Sequence, residues 1–399
     1  MITILKSPTS FGRFLQIPST SCFHLHTSTR YNSLPKAAPH EDELEHQFHP
    51  PRQVRRAPAV GILDLEGKSK RKELGLILSD PHLQEWTKME PRGLVSAYLQ
   101  LSKYKLTALI TSTAAAGYMM SPLAFSLPTF ASCVAGTALL SSAANACNQL
   151  LEAPYDAQMK RTQSRVLVVH RFSPLHALSF ATVCATSGVG LLYVACNPLT
   201  AALGALNIFL YAGVYTPMKR THIGCTWAGA VVGAIPPLMG YAALHGSLDM
   251  AAACLAAILY SWQFPHFNGL SWNLRGDYSR AGYRVMCVTD ERLCRVTTIR
   301  HALALIGLCS VAAPLTDLTT ITFALDSLPV NAYLAYLSYQ FYRAPDAKNS
   351  RRLFFFSLLY LPVLLGLMII SNGGRGAAEK KKTAVDNILV ESVSKVVDF

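Results

Sequence analysis

The sequence predicts an all-α protein that crosses a membrane about nine times. Three observations predict it. Apolar runs of roughly the twenty residues that a bilayer demands recur along most of the chain. Hydrophobic residues make up 51% of the 399 and charged residues 15%, where a soluble domain carries about a quarter charged residues. Lys and Arg fall in alternate loops, as a multi-pass topology requires.

Residues 1–34 contain Lys6, Arg13 and Arg30, many Ser and Thr, and no Asp or Glu. That composition predicts a mitochondrial transit peptide. Residues 35–95 are polar, with stretches such as HPPRQVRRAP and GKSKRKELG, and read as a solvated, partly disordered region with a short helix expected around Asp80–Lys88. Residues 96–372 form the membrane domain, with spans expected at 104–125, 128–151, 174–195, 198–217, 223–244, 249–268, 301–316, 319–342 and 353–371. Asp326 and Pro329 interrupt the eighth. Residues 373–399 form a polar tail.

The loops after spans two, four, six and eight hold the cations. Among them are Lys160, Arg161, Arg165 and Arg171; Lys219 and Arg220; Arg275, Arg280 and Arg284; Arg343 and Lys348. The intervening loops hold no Lys or Arg. The positive-inside rule places the basic set, with Lys103 and Lys105, on the interior face, here the mitochondrial matrix. The tail from Arg375 to Lys382 is basic yet falls on the opposite face. The net charge of +13 is thereby accounted for by topology, without nucleic acid. Ten cysteines are scattered, several within apolar runs (Cys133, Cys184, Cys254) and none in a CxxC pair. They read as small packing residues.

Only two interior loops are long, 152–173 and 269–300, and both mix acids with cations. Asn148, Glu152 and Asp156 are spaced i, i+4, i+8, which stacks three oxygen-bearing side chains on one helical face. Such oxygens suit Mg²⁺, which binds carboxylates and bridges to phosphates. Lys160, Arg161 and Arg165 follow, and arginine forks grip phosphate oxygens. Acid, metal and arginine at a membrane face suit a diphosphate whose lipid tail stays among the helices. In the second loop, Asp277 is either a further metal ligand or the partner of a neighbouring Arg. Tyr278 is either a phosphate contact or an interfacial aromatic. His266 is a base, a contact to a ligand, or an interfacial histidine. Tyr215, Lys219 and Arg220 lie on the same face, with Lys219 either a phosphate contact or a topological anchor. Pro236–Pro237 is expected to break or kink its helix.

Four elements together resemble the UbiA superfamily of intramembrane prenyltransferases, and within it the branch that farnesylates haem. Asn148, Glu152 and Asp156, then Met159-Lys160-Arg161-Thr162-Gln163-Ser164-Arg165, match the first family motif. Tyr215, Thr216, Lys219 and Arg220 match a second element; Trp262, Gln263, Pro265, His266 and Phe267 a third; Asp277 and Tyr278 a fourth. The likeness covers about 95–371. The motif's proline after Arg165 is replaced by Val166, which puts the local loop geometry in question. The resemblance implies a bundle of about nine helices around a lipid-accessible cavity. It implies farnesyl transfer from farnesyl diphosphate to a vinyl group of haem B, giving haem O, with Mg²⁺ as cofactor. It assigns Asn148, Glu152, Asp156 and Asp277 to the metal. Diphosphate falls to Lys160, Arg161, Arg165, Tyr215, Lys219, Arg220 and Arg275, with Tyr278 beside them, and haem to His266 and Trp262. It further implies the mitochondrial inner membrane, matrix-facing loops, a downstream haem A synthase and an oligomeric state left open. The alternatives are prenylation of an aromatic quinone precursor, and a haem transporter or assembly factor without chemistry.

Overall fold

The computed structural model describes residues 91–372. The expected transit peptide, the helix near Asp80–Lys88 and the polar tail lie outside the described residues. The described chain is helical throughout, with one isolated bridge between Thr319 and Asn372. The helices are α1 (Pro91–Leu101), α2 (Tyr104–Met120), α3 (Leu127–Asp156), α4 (Pro174–Ala195), α5 (Pro198–Thr221) and α6 (Cys225–His245). They continue with α7 (Met250–Asn273), α8 (Arg275–Arg280), α9 (Met286–Thr289), α10 (Glu291–Leu315), α11 (Thr322–Arg343) and α12 (Ala347–Ile370).

Local chemistry starts most of them. Ser173, Asn197, Asp249, Asp290 and Asp346 each accept a backbone N–H from the first turn of the following helix. Pro174 and Pro198 stand at the first helical position and Pro128 at the second, where a missing N–H leaves no helical bond unmade. Six helices, α3, α4, α5, α6, α10 and α12, are long and apolar enough to cross a membrane by length and composition. The other three expected spans are helices too, but α2 has 17 residues, and α7 and α11 are diluted by polar groups such as Gln263, Asn268 and Asp326.

Three expectations need correction. Helix α3 runs through Pro154 to Asp156, so the expected loop 152–173 begins only after Asp156. The expected loop 269–300 is largely helix, because Asp290 caps α10 and starts it at Glu291. Helix α6 passes unbroken through Pro236–Pro237. The bonds that these prolines forgo involve the carbonyls of Val232 and Gly233, and the helix packs closely against α2 at this point. A Cβ on Gly117 would lie 2.0 Å from the Pro237 carbonyl oxygen, and one on Gly240 1.9 Å from that of Ala114. Only glycine lets the two backbones meet there.

The largest core joins α6, α7, α10, α11 and α12 through Leu255, Ile258, Leu305, Phe323, Phe341 and Tyr360. Large apolar side chains such as Val194, Phe209, Leu315 and Ile370 face outward, as a lipid-facing perimeter requires. At the far end of α12, Asn372 donates to the carbonyls of Met119 and Met120, at the far end of α2 from Lys103.

Candidate active site

Asn148, Glu152 and Asp156 lie on one face of α3, as their spacing demands, and are 1%, 5% and 0% exposed. Charges so deep need partners. Glu152 Oε1 accepts from Lys219 Nζ at 2.7 Å. Asp156 Oδ2 is paired with Arg165, whose Nη1 also lies 3.8 Å from Glu152 Oε2. Asn148 Oδ1 accepts from Lys103 Nζ at 2.5 Å, and its Nδ2 donates to Thr216 Oγ1 at 3.1 Å. These groups line a small polar pocket of about 80 Å³, together with Arg161, Tyr211, Tyr215, Tyr278 and Tyr283.

Each cation arrives by a definite local device. Lys103 sits in the left-handed region (φ 49°, ψ 53°) at the turn between α1 and α2. Two side chains of α3 take the carbonyls that this turn leaves open. Gln149 Nε2 donates to Gln100 O and Leu101 O, and Asn145 Nδ2 to Ser102 O. Burial holds the Lys103 amine well below its ordinary pKa, and the charge of Arg165 adds to the effect. Arg161 and Arg165 follow α3 in a loop anchored by Val166, which is fully buried against Ala97, Leu101 and Phe172. Thr162 Oγ1 closes the turn on Asp156 O. Lys219 follows a π-helical stretch of α5, Phe209–Tyr215, that turns Tyr211 and Tyr215 to the pocket. Its ammonium also lies 4.4 Å from the Tyr215 ring centre.

Two buried polar atoms in this pocket have no hydrogen-bond partner among the described residues: Asp156 Oδ1 and the Tyr283 hydroxyl. One is an acceptor, the other a donor, and an unpaired buried group is costly. Burial pushes the Tyr278 and Tyr283 phenols up, so both remain donors.

Arg161, Tyr211, Tyr215, Phe267 and Val285 line both this pocket and a second cavity of about 680 Å³ between the helices. The walls of the larger cavity are chiefly apolar, with Asn145, Gln263 and His266 as polar points. Gln263 Nε2 donates to Ala230 O across to α6. His266 Nδ1 lies 2.9 Å from Ser357 Oγ, and Trp262 Nε1 donates to Ser357 O at 3.0 Å. The Trp262 and His266 rings stack, with centres 4.7 Å apart. A polar head pocket opening into an apolar chamber fits a charged group with a long hydrocarbon tail.

The sequence pattern of the UbiA prenyltransferase family matches residues 108–359. The chain belongs to the UbiA prenyltransferase family. It is 53% identical over 292 residues to a Homo sapiens protein named protoheme IX farnesyltransferase, mitochondrial, covering 73% of this chain and 66% of that one. It is 41% identical over 308 residues to the Yarrowia lipolytica protein of that name, covering 72% and 65%. The match thus spans just under two thirds of these relatives' length. Among solved structures, that of a digeranylgeranylglyceryl phosphate synthase superposes with a TM-score of 0.58 at 15% identity, covering 71% of this chain and 99% of that one. A UbiA homolog from Archaeoglobus fulgidus, bound to GPP and Mg²⁺, gives 0.52 at 12% identity, covering 68% and 99%. These two likenesses show the UbiA fold.

Within this UbiA bundle, Asn148, Glu152, Asp156, Arg161, Arg165, Tyr215, Lys219 and Tyr278 come together in the polar pocket, and Trp262 and His266 in the chamber. Asp277, Lys160, Arg220 and Arg275 are not in either lining. Asp277 is paired with Arg280, and Arg275 Nη1 lies 2.5 Å from Glu291 Oε1. The Arg220 guanidinium lies over the Tyr155 ring at 4.0 Å. Lys103, Tyr211 and Tyr283 are pocket residues that sequence reasoning missed. Among the described residues no three His, Cys, Asp or Glu side chains gather as a metal site. Two carboxylates and an amide, with Asp156 Oδ1 unpartnered, nevertheless fit Mg²⁺ completed by phosphate and water oxygens.

Proposed function

We propose that the protein transfers a farnesyl group from farnesyl diphosphate to a vinyl group of haem B, giving haem O. The two unpartnered atoms, Asp156 Oδ1 and the Tyr283 hydroxyl, carry this reading: they await a cation and an anionic oxygen at the mouth of an apolar chamber. The names of the relatives supply the acceptor. Asn148, Glu152 and Asp156 hold Mg²⁺, which when bound supplies charge to the leaving diphosphate. Arg161, Arg165, Lys219 and Lys103 surround its oxygens, with Tyr278 and Tyr283 as neutral donors. Their fixed positive field stabilises negative charge as the allylic C–O bond breaks and the diphosphate leaves with the electron pair. The apolar walls keep bulk water from the farnesyl cation. The vinyl carbon attacks that cation, and water adds to the adjacent carbon and releases a proton. The site faces the matrix from the inner membrane, on the side of the basic loops.

Membranes containing the protein are incubated with haem B, farnesyl diphosphate and Mg²⁺, and the haems are separated by chromatography. A new, more hydrophobic haem is expected. It disappears with EDTA and falls at least about a hundredfold in Asp156→Ala, the scale of losing one charge-stabilising contact at a reacting centre. Product that persists unchanged in Asp156→Ala overturns the metal assignment. Prenylation of a quinone precursor with none of haem overturns the acceptor.

A further inference from the structure

We propose that Ser357 holds His266 as its Nδ1–H tautomer, and that the bare Nε2 is the axial ligand of the iron in the haem substrate. This rests on the haem reading above.

The Ser357 hydroxyl has one hydrogen and two neighbours that can accept it, the Phe354 carbonyl at 2.6 Å and His266 Nδ1 at 2.9 Å. We assign the hydrogen to the carbonyl, the shorter contact and a group that can only accept, so that the same oxygen accepts from Nδ1–H. A neutral imidazole has only one N–H, so Nε2 is left with a lone pair. No hydrogen bond to Nε2 and no ion pair to this ring is found among the described residues. The ring is held in orientation as well as in tautomer. Trp262 stacks on it with an interplanar angle of 22°, and Phe354 lies 5.1 Å from its centre. Trp262 is itself tied to Ser357, through the backbone carbonyl. One fully buried residue of α12 thus fixes two rings that stand one turn apart on α7.

His266 is the only imidazole lining the 680 Å³ chamber among the described residues. An imidazole whose one N–H is held by an oxygen, on a residue that lines an apolar chamber, fits a metal-ligating histidine. In a haem the atom that seeks such a lone pair is the iron. Ligation would anchor a flat, greasy acceptor at a fixed height in a chamber that otherwise offers few polar contacts. Ser357 acts through His266 and is a positioning residue.

The test uses full-length protein in detergent with ferrous haem B, read by resonance Raman at the iron–histidine stretch. The wild type is expected to show the band. His266→Gly loses it, added imidazole restores it, and haem affinity falls at least about tenfold. Heavy-nitrogen labelling of histidine shifts the band in the unaltered protein, and reads the same bond if the glycine variant does not fold. Ser357→Ala leaves the Trp262 bond in place, so it tests the hydroxyl alone. It is expected to shift the band and to lower kcat/KM for haem about tenfold, the lower bound for losing a partner behind a ligand, with KM for farnesyl diphosphate unchanged. Ser357→Thr restores both. An unshifted band in Ser357→Ala overturns the role of Ser357. Haem that is bound and farnesylated without any iron–histidine band overturns the ligation while the proposed reaction stands. Failure of any haem to be bound or farnesylated overturns the reaction, and the ligation with it.

Discussion

Tyr283 is a buried phenol whose hydroxyl has no hydrogen-bond partner among the described residues, in a pocket crowded with ions. A purely structural hydroxyl would have found an acceptor, since leaving one unmade costs about 1–3 kcal/mol. Tyr283→Phe should therefore leave the ligand-free protein's thermal midpoint unchanged or raised, while kcat/KM for farnesyl diphosphate falls about tenfold, the worth of one hydrogen bond to a charged group. A lowered midpoint with unchanged kinetics would mean that the hydroxyl serves the fold. Lys103 is a second case. Lys103→Ala should raise KM for farnesyl diphosphate at least about tenfold, since charge-assisted bonds are worth about 1.5–3 kcal/mol, and Lys103→Arg should recover part of it. Equal KM in wild type and alanine variant would leave Lys103 only its bond to Asn148. Neither residue was legible in the sequence as part of a site. Lys103 enters through one left-handed residue pinned by Gln149 and Asn145. Tyr283 enters because the Arg284 N–H docks its loop on the Lys219 carbonyl at 2.7 Å. Asn148, Glu152 and Asp156 were legible, because a helix turns i, i+4, i+8 spacing directly into shared direction. Asp277 had the right composition, but Arg280, three residues on, takes its carboxylate.

At the scale of elements, the sequence located helices well and their ends poorly. The spans expected to end at 151 and 268 continue as helix to Asp156 and Asn273, α3 passing Pro154 by two residues and α7 passing Pro265 by eight. Their neighbours supply the packing that propensity does not, which is how tertiary context overrides a local signal. The close approach of α2 and α6 was equally hidden, because it depends on Gly117 meeting a carbonyl some 120 residues away. There is no slack at that point. Gly117→Ala should lower the thermal midpoint in detergent, with a cost of about 1–3 kcal/mol typical of overpacking. An unchanged midpoint would show that the two helices part without penalty. The π-helical stretch of α5 left no mark in composition either, yet it turns Tyr211 and Tyr215 toward the pocket.

For the whole molecule, the described chain starts and finishes at opposite ends of the bundle. Lys103 lies at the pocket end, and Asn372 bonds to the far end of α2. A protease site inserted just before α1 should be cut only after the inner membrane is opened. One inserted just after Asn372 should be cut in intact mitoplasts. Cleavage of both from the same side would mean an even number of crossings. The basic segment Arg375–Lys382 opposes this orientation on charge grounds, and short loops weigh more than a tail in setting topology.

The bonds from Ser357 to Trp262 and His266 also impose a schedule on synthesis. Every described residue of the polar pocket lies between positions 103 and 285, so the ribosome has delivered all of them well before it reaches α12. Chains emerge N-terminal end first. Until Ser357 is translated and its helix inserted, His266 has no oxygen to set its tautomer and Trp262 has no carbonyl to hold its indole. A chain truncated before α12 keeps the polar-pocket residues but lacks both Ser357 and the α12 side chains, Leu361 and Leu365 among them, that wall the apolar chamber, so a stop codon anywhere upstream of α12 is expected to remove function as completely as one at the start.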